Sequence, residues 1–164
     1  MAVTSQKSVE HTNATASPPV NASPAEAHGS VRIAFFTHDQ AGVGDTGSSI
    51  ALAKLPAGRV RLLSSLSRAY VNWTTSSATL DLGWDAYANP DGTAVAADPD
   101  GLVNALAVDT VGFFTFEGAI AANLLTGGTF VFESKEGVVI RATAADNAQV
   151  AGDDLVGYLA YVQD

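Results

Sequence analysis

The chain has 164 residues, 47% hydrophobic and only 15% charged, with a formal net charge of −9 and no cysteine. That length fits one ordinary domain with a sizeable core rather than two; the missing cysteine excludes disulfides and thiolate metal sites, and the acidic balance disfavours nucleic acid and anionic lipid as main partners, because phosphate binding needs clustered Lys and Arg. So few charges leave part of the outer surface hard to keep wet, and that part is expected to lie against other subunits.

Residues 1–30 carry no hydrophobic periodicity and contain Pro18, Pro19 and Pro24. Such a stretch buries too little apolar area to offset its conformational entropy, so it is expected to be an extended or disordered N-terminal arm until something binds it. Val3, Val9 and Val20 are isolated apolar residues among polar spacers. That pattern suits a peptide laid across a neighbour or added to an open sheet edge, which makes these three candidate partner-binding residues. The arm lacks the charged-then-apolar layout of a secretory signal, and no apolar run approaches the roughly 20 residues that span a bilayer. The expectation is a soluble protein made in the cytoplasm, with no membrane partner.

From Val31 onward, residues 31–164 read as a single β-domain. Arg32 to Thr37 is a β-rich run, followed by a glycine-rich loop from Asp39 to Gly47. Ser49 to Leu55 is closed by Pro56-Ala57-Gly58, and Arg59-Val60-Arg61-Leu62 alternates with both arginines on one face. Leu66 to Trp73 is a further candidate strand. Thr79 to Trp84 alternates most cleanly, sending Leu80, Leu82 and Trp84 to one side and Asp81 to the other.

Between Asp85 and Asp109 the alternation fails. Asn89-Pro90-Asp91-Gly92 and Asp98-Pro99-Asp100-Gly101 read as turns, so a long excursion from the sheets is expected there. Asp98 and Pro99 predict the cap and first position of a short helix over Leu102 to Leu106. Strands resume at Val111–Phe116, Thr129–Glu133, Val138–Thr143 and Leu155–Val162. Eight or nine short strands separated by turns predict an all-β fold, an antiparallel two-sheet β-sandwich of jelly-roll type.

No reactive centre is legible, and the chain is not expected to be an enzyme or to hold a cofactor. His11, His28 and His38 lie in or near the arm, far from any nucleophile paired with an acid. Gly42-Val43-Gly44-Asp45-Thr46-Gly47 lacks the following helix and βαβ setting of a dinucleotide site. Asp91, Asp98 and Asp100, with Asp85 nearby, are the one set that could gather around calcium, but their spacing departs from the EF-hand pattern and turn formation alone accounts for them.

Charge is segregated along the chain. Lys54, Arg59, Arg61 and Arg68 fall in Thr46 to Leu80, which contains no acid, whereas Ala69 to Ser134 contains acids and no Lys or Arg. Either the two stretches form opposed faces that set the register of assembly, making Arg59, Arg61 and Arg68 partner-binding candidates, or they mix within one monomer. Trp73, Trp84, Phe113, Phe114, Phe116, Phe130 and Phe132 are expected mostly in the core. The adjacent Phe113 and Phe114 must point to opposite faces of a strand, so one ring is left for an interface.

Leu82-Gly83-Trp84-Asp85-Ala86-Tyr87, Asp91 through Asp100, Phe132-Glu133-Ser134, Gly137 through Ile140 and Gly157 through Val162 together resemble head decoration, or cement, proteins of tailed bacteriophages. The likeness covers most of Val31 to Asp164 and not the arm. It implies a β-sandwich or jelly roll on the outside of an icosahedral capsid in the virion. Such a protein often forms a homotrimer at local threefold positions and clamps major capsid protein subunits against internal pressure. No catalytic residues come with it. A head-tail connector or tail component, and a carbohydrate-binding module using Trp73, Trp84, Tyr70 or Tyr87 as a stacking platform, are the alternatives.

Overall fold

The structure, a computed structural model, describes residues 30–73, 75–116 and 130–164. Its strands are β1 Val31–His38, β2 Ser49–Leu55, β3 Gly58–Leu62, β4 Arg68–Val71, β5 Thr79–Trp84, β6 Tyr87–Ala88, β7 Ala94–Val95, β8 Asp98–Ala107, β9 Gly112–Thr115, β10 Phe130–Ser134, β11 Val138–Ala144 and β12 Leu155–Gln163. A 3₁₀ turn, Ser64–Leu66, precedes β4, and there is no α-helix among the described residues, hence none long and apolar enough to cross a membrane. The N-terminal arm lies almost wholly outside the described residues, and with it Val3, Val9 and Val20.

Two antiparallel sheets face each other in a jelly-roll-like sandwich. The larger runs β10-β3-β12-β4-β9 with β1 on the other side of β12; the smaller runs β2-β11-β5-β8. β12 is long enough to pair with β4 through Leu155–Tyr158 and with β3 through Tyr161–Gln163. Between those pairings the 3₁₀ turn fills the gap. The Leu63 amide donates to the Ala160 carbonyl at 2.8 Å, and the Ala160 amide donates to the Ser67 hydroxyl at 3.0 Å, so a fully buried serine is satisfied in place of a strand.

The core lies between the sheets. Val60, Leu62, Val71, Phe132, Leu155 and Leu159 come from the larger sheet and Leu55, Leu80, Leu82, Ile140 and Ala142 from the smaller, all sealed from solvent. Each fully buried large apolar side chain of this kind contributes roughly 1.5–3 kcal/mol. Two glycines allow the strands to close on one another. A Cβ on Gly83 would sit 1.9 Å from the Asp98 carbonyl oxygen, and one on Gly157 would sit 2.2 Å from the Arg68 carbonyl oxygen and 2.7 Å from the Phe36 ring.

The predicted runs all became strands, but the segment 85–109 did not stay outside the sheets. Its first half forms the small β6–β7 hairpin, whose turn Asn89–Gly92 is closed by the Gly92 amide donating to Asn89 at 2.9 Å. Its second half is β8, in place of both the expected turn at Asp98–Gly101 and the expected helix over Leu102–Leu106. The register with β5 slips twice, from Leu80↔Leu106 to Leu82↔Val103 to Trp84↔Asp98. These bulges put consecutive Leu102 and Val103 in the core and hold Ala105 at φ 50°, which erases the period-two signal that marks a strand in sequence. The strand expected from Leu66 also starts later, because Leu66 ends the 3₁₀ turn and stands exposed.

Candidate assembly surface

The outward face of the larger sheet is apolar where a solvated sandwich would be polar. β1 is the reason. Its outward positions are Val31, Ile33 and Phe35, 53%, 51% and 76% exposed, while Phe36 points into the core. β1 pairs only with β12 among the described residues, so its other side presents an open edge beside β2, the edge strand of the opposite sheet. An exposed apolar strand with an open edge is a template for association, and a soluble monomer ordinarily blunts it with charge or proline.

The register carries the patch across four strands. Thr37, Val156, Tyr70 and Phe113 form one outward row across β1, β12, β4 and β9, and Phe35, Tyr158, Arg68 and Thr115 form the next. The aromatics therefore fall on a diagonal. Phe35 meets Tyr158 edge-on with centroids 6.1 Å apart, and Tyr70 meets Phe113 at 5.1 Å. Between these two pairs lies a trough of about 410 Å³ that also exposes Arg68 and Val156 and the backbone at Ala69 and Gly157. Arg68 is its one charged group, and no carboxylate lines it.

Phe113 and Phe114 separate as expected, with Phe113 75% exposed and Phe114 packed against the core. The Phe35-Phe36 doublet behaves in the same way. Sequence reasoning passed over it, although the signal is identical: two large rings in succession cannot both face inward from one strand.

The three arginines singled out from sequence do not act together. Arg59 and Arg61 are outward neighbours on β3, and Arg59 lies 3.5 Å from Glu133, its cross-strand partner on β10, and 3.4 Å from Asp164. Arg61 lies 3.8 Å from Asp164. The basic and acidic stretches thus meet inside one monomer, as the mixed reading has it. Arg68 alone reaches the trough.

Charge is instead sorted along the strand axis. The loop residues 39–48, 72–73, 75–78, 108–111 and 145–154 gather at one end, tied by the Gly44–Gln149 bridge, by the Gly152 amide on the Gln40 carbonyl and by the Asn72 amide nitrogen on the Asp154 carboxylate. They hold Asp39, Asp45, Asp109, Asp146, Asp153 and Asp154 and no Lys or Arg. The opposite end, where β1 begins, mixes Arg32, Lys54, Arg59, Arg61 and Lys135 with Asp85, Asp91, Asp98, Asp100, Glu133, Glu136 and Asp164.

The other chemistry considered from sequence does not assemble. Asp85 is held by Arg141 through two hydrogen bonds of 2.5 and 2.7 Å, which keep its carboxyl below the ordinary carboxylate value, and Asp91 accepts the Thr93 amide at 2.8 Å in an exposed turn. Asp98 is raised by burial and by neighbouring Asp100. These four carboxylates do not converge, and among the described residues no acid or histidine group of three could hold a metal ion. His38 Nε2 is hydrogen-bonded to Gln40 at 2.7 Å rather than to a nucleophile. Of the aromatics suggested as a sugar platform, Trp73 is 1% exposed, and Trp84 and Tyr87 pack with Phe130 and Phe132. Tyr70 is the one on the open face.

The same fold occurs in solved phage capsids. A chain in the capsid of Ralstonia phage GP4 superposes with a TM-score of 0.57 at 19% identity, and a chain in the capsid asymmetric unit of cyanophage Pam1 with 0.50 at 14%. Each comparison covers 83% of this chain and 86% of the other. At those identities the fold is what is shared. No protein-family model matches the chain, and no curated protein sequence matches it.

Proposed function

We propose that the chain is a non-enzymatic structural protein of a phage virion, a decoration protein that binds the outer surface of the capsid and tightens contacts between major capsid protein subunits. The observation that carries this reading is the open edge of β1 with its exposed Val31 and Ile33, a surface that asks for a protein partner. The occurrence of the fold in chains of nearly this size in two phage capsids supports the virion setting. The end where β1 begins also carries Arg59 and Arg61, so the arm of residues 1–30 and these two arginines act together toward the shell. Val3 and Val9 anchor the distal arm, and copies associate as a trimer through the free edge of β1 with Val31 and Ile33. Many modest contacts repeated by symmetry raise the cost of separating shell subunits, with avidity compensating for weak single sites.

The test is the copy number and position of this chain in purified virions, by quantitative mass spectrometry and cryo-electron microscopy. Hundreds of copies on the outside are expected, with attachment lost when residues 1–30 are deleted. A few copies at one vertex would make it a connector or tail component, and its absence from the particle would end the proposal.

A further inference from the structure

We propose that the aromatic trough on the larger sheet is the docking site for this chain's own proline segment, Ala16 to Ala27, with Pro18-Pro19-Val20 seated between the Phe35–Tyr158 and Tyr70–Phe113 pairs. This stands apart from any shell, because it concerns the isolated chain.

The lining of the trough has the chemistry of a polyproline groove. Such grooves are walled by aromatic rings on which proline rings lie flat, and the extended left-handed helix they bind makes no internal hydrogen bonds, so its carbonyls look outward for donors. Here Tyr70, Tyr158 and Arg68 stand at the trough with hydroxyl and guanidinium donors, and the floor is Val156 with the backbone of Ala69 and Gly157. The segment Ala-Ser-Pro-Pro-Val-Asn-Ala-Ser-Pro-Ala-Glu-Ala holds three of the chain's six prolines. Its single charge, Glu26, complements the single charge of the trough, Arg68, which has no ion pair among the described residues.

The connection favours the same chain. Ten residues separate Val20 from Val31, the first residue of β1, and they span up to about 35 Å when extended. The path needed is about 13 Å along β1 from Val31 to Phe35, and about 14 Å across the strands from β1 to β9. The sequence of this linker includes Gly29, and glycine accepts the backbone reversal such a path requires. A linker of this length gives an effective concentration in the millimolar range, so the attached segment outcompetes that of another molecule in dilute solution. Docking covers the centre of the apolar face and leaves residues 1–15 and the edge of β1 for other contacts.

The chain has no cysteine, so Ala22→Cys in the full-length protein gives one site for a nitroxide label. Paramagnetic broadening of backbone amide signals should single out Phe35, Ala69, Tyr70, Phe113 and Tyr158, and persist on dilution. The double substitution Pro18→Gly and Pro19→Gly should remove that pattern. Phe113→Ser, at a surface position that leaves the core intact, should weaken it several-fold, and Glu26→Gln should weaken it less. Broadening spread evenly over the body, or unchanged by the proline substitutions, would overturn the assignment. Broadening seen chiefly when labelled, isotopically silent chains are mixed with unlabelled ¹⁵N chains would overturn its intramolecular form.

Discussion

β3 and β1 belong to the same sheet and fill their outward positions in opposite ways. On β3 the outward residues are Arg59 and Arg61, each near a carboxylate, and the inward ones are sealed Val60 and Leu62. On β1 the outward residues are Val31, Ile33 and Phe35, so the strand shows apolar side chains to solvent while Phe36 faces the core. β3 is complete within the monomer. β1 is covered only when something lies on it, so the two strands offer a partner different chemistry: matched charges on β3 and bare apolar side chains on β1.

The contrast breaks if inward and outward rings prove interchangeable. Phe132→Ala, in the core beneath β3 and β10, should cost about 3–5 kcal/mol of unfolding free energy by denaturant titration. Gly157→Ala should cost roughly 1–3 kcal/mol, because its methyl must displace the β4 backbone or the Phe36 ring. Asp85→Asn should cost below about 1 kcal/mol, since the Arg141 pair is about one-third exposed. The folded carboxyl of Asp85 lies below its ordinary value of 3.8, so its contribution is complete above that pH and is lost as pH falls through the lowered folded value. A pH titration of stability should show this loss in the wild type and not in the Asn variant. Phe35→Ser should change stability by no more than about 0.5 kcal/mol yet weaken the broadening of Phe113 and Tyr158 by a nitroxide at residue 22. A loss as large as that of Phe132→Ala would mean that the outward ring supports the fold after all.

Most of the fold was legible because most strands obey period two. Thr79–Leu82 and Arg59–Leu62 alternate in sequence and alternate in burial. β8 was not legible, since its bulges place neighbouring residues on the same side and its Asp-Pro-Asp-Gly start has the composition of a turn. The candidate surface was half legible. Phe113 and Arg68 stood out from sequence, but the diagonal of Phe35, Tyr158, Tyr70 and Phe113 depends on cross-strand register among β1, β12, β4 and β9, strands distant in the chain. The sorting of charge by strand end was equally hidden, because its carboxylates come from three separate loops.

Among the described residues that sorting leaves one end of the strands, at the Asp39, Asp45 and Asp146 loops, with carboxylates alone and the other end with both signs. Near a cationic support the molecule is turned before it touches. It therefore lands on those loops, in an oriented layer, with the start of β1 pointing away into solution.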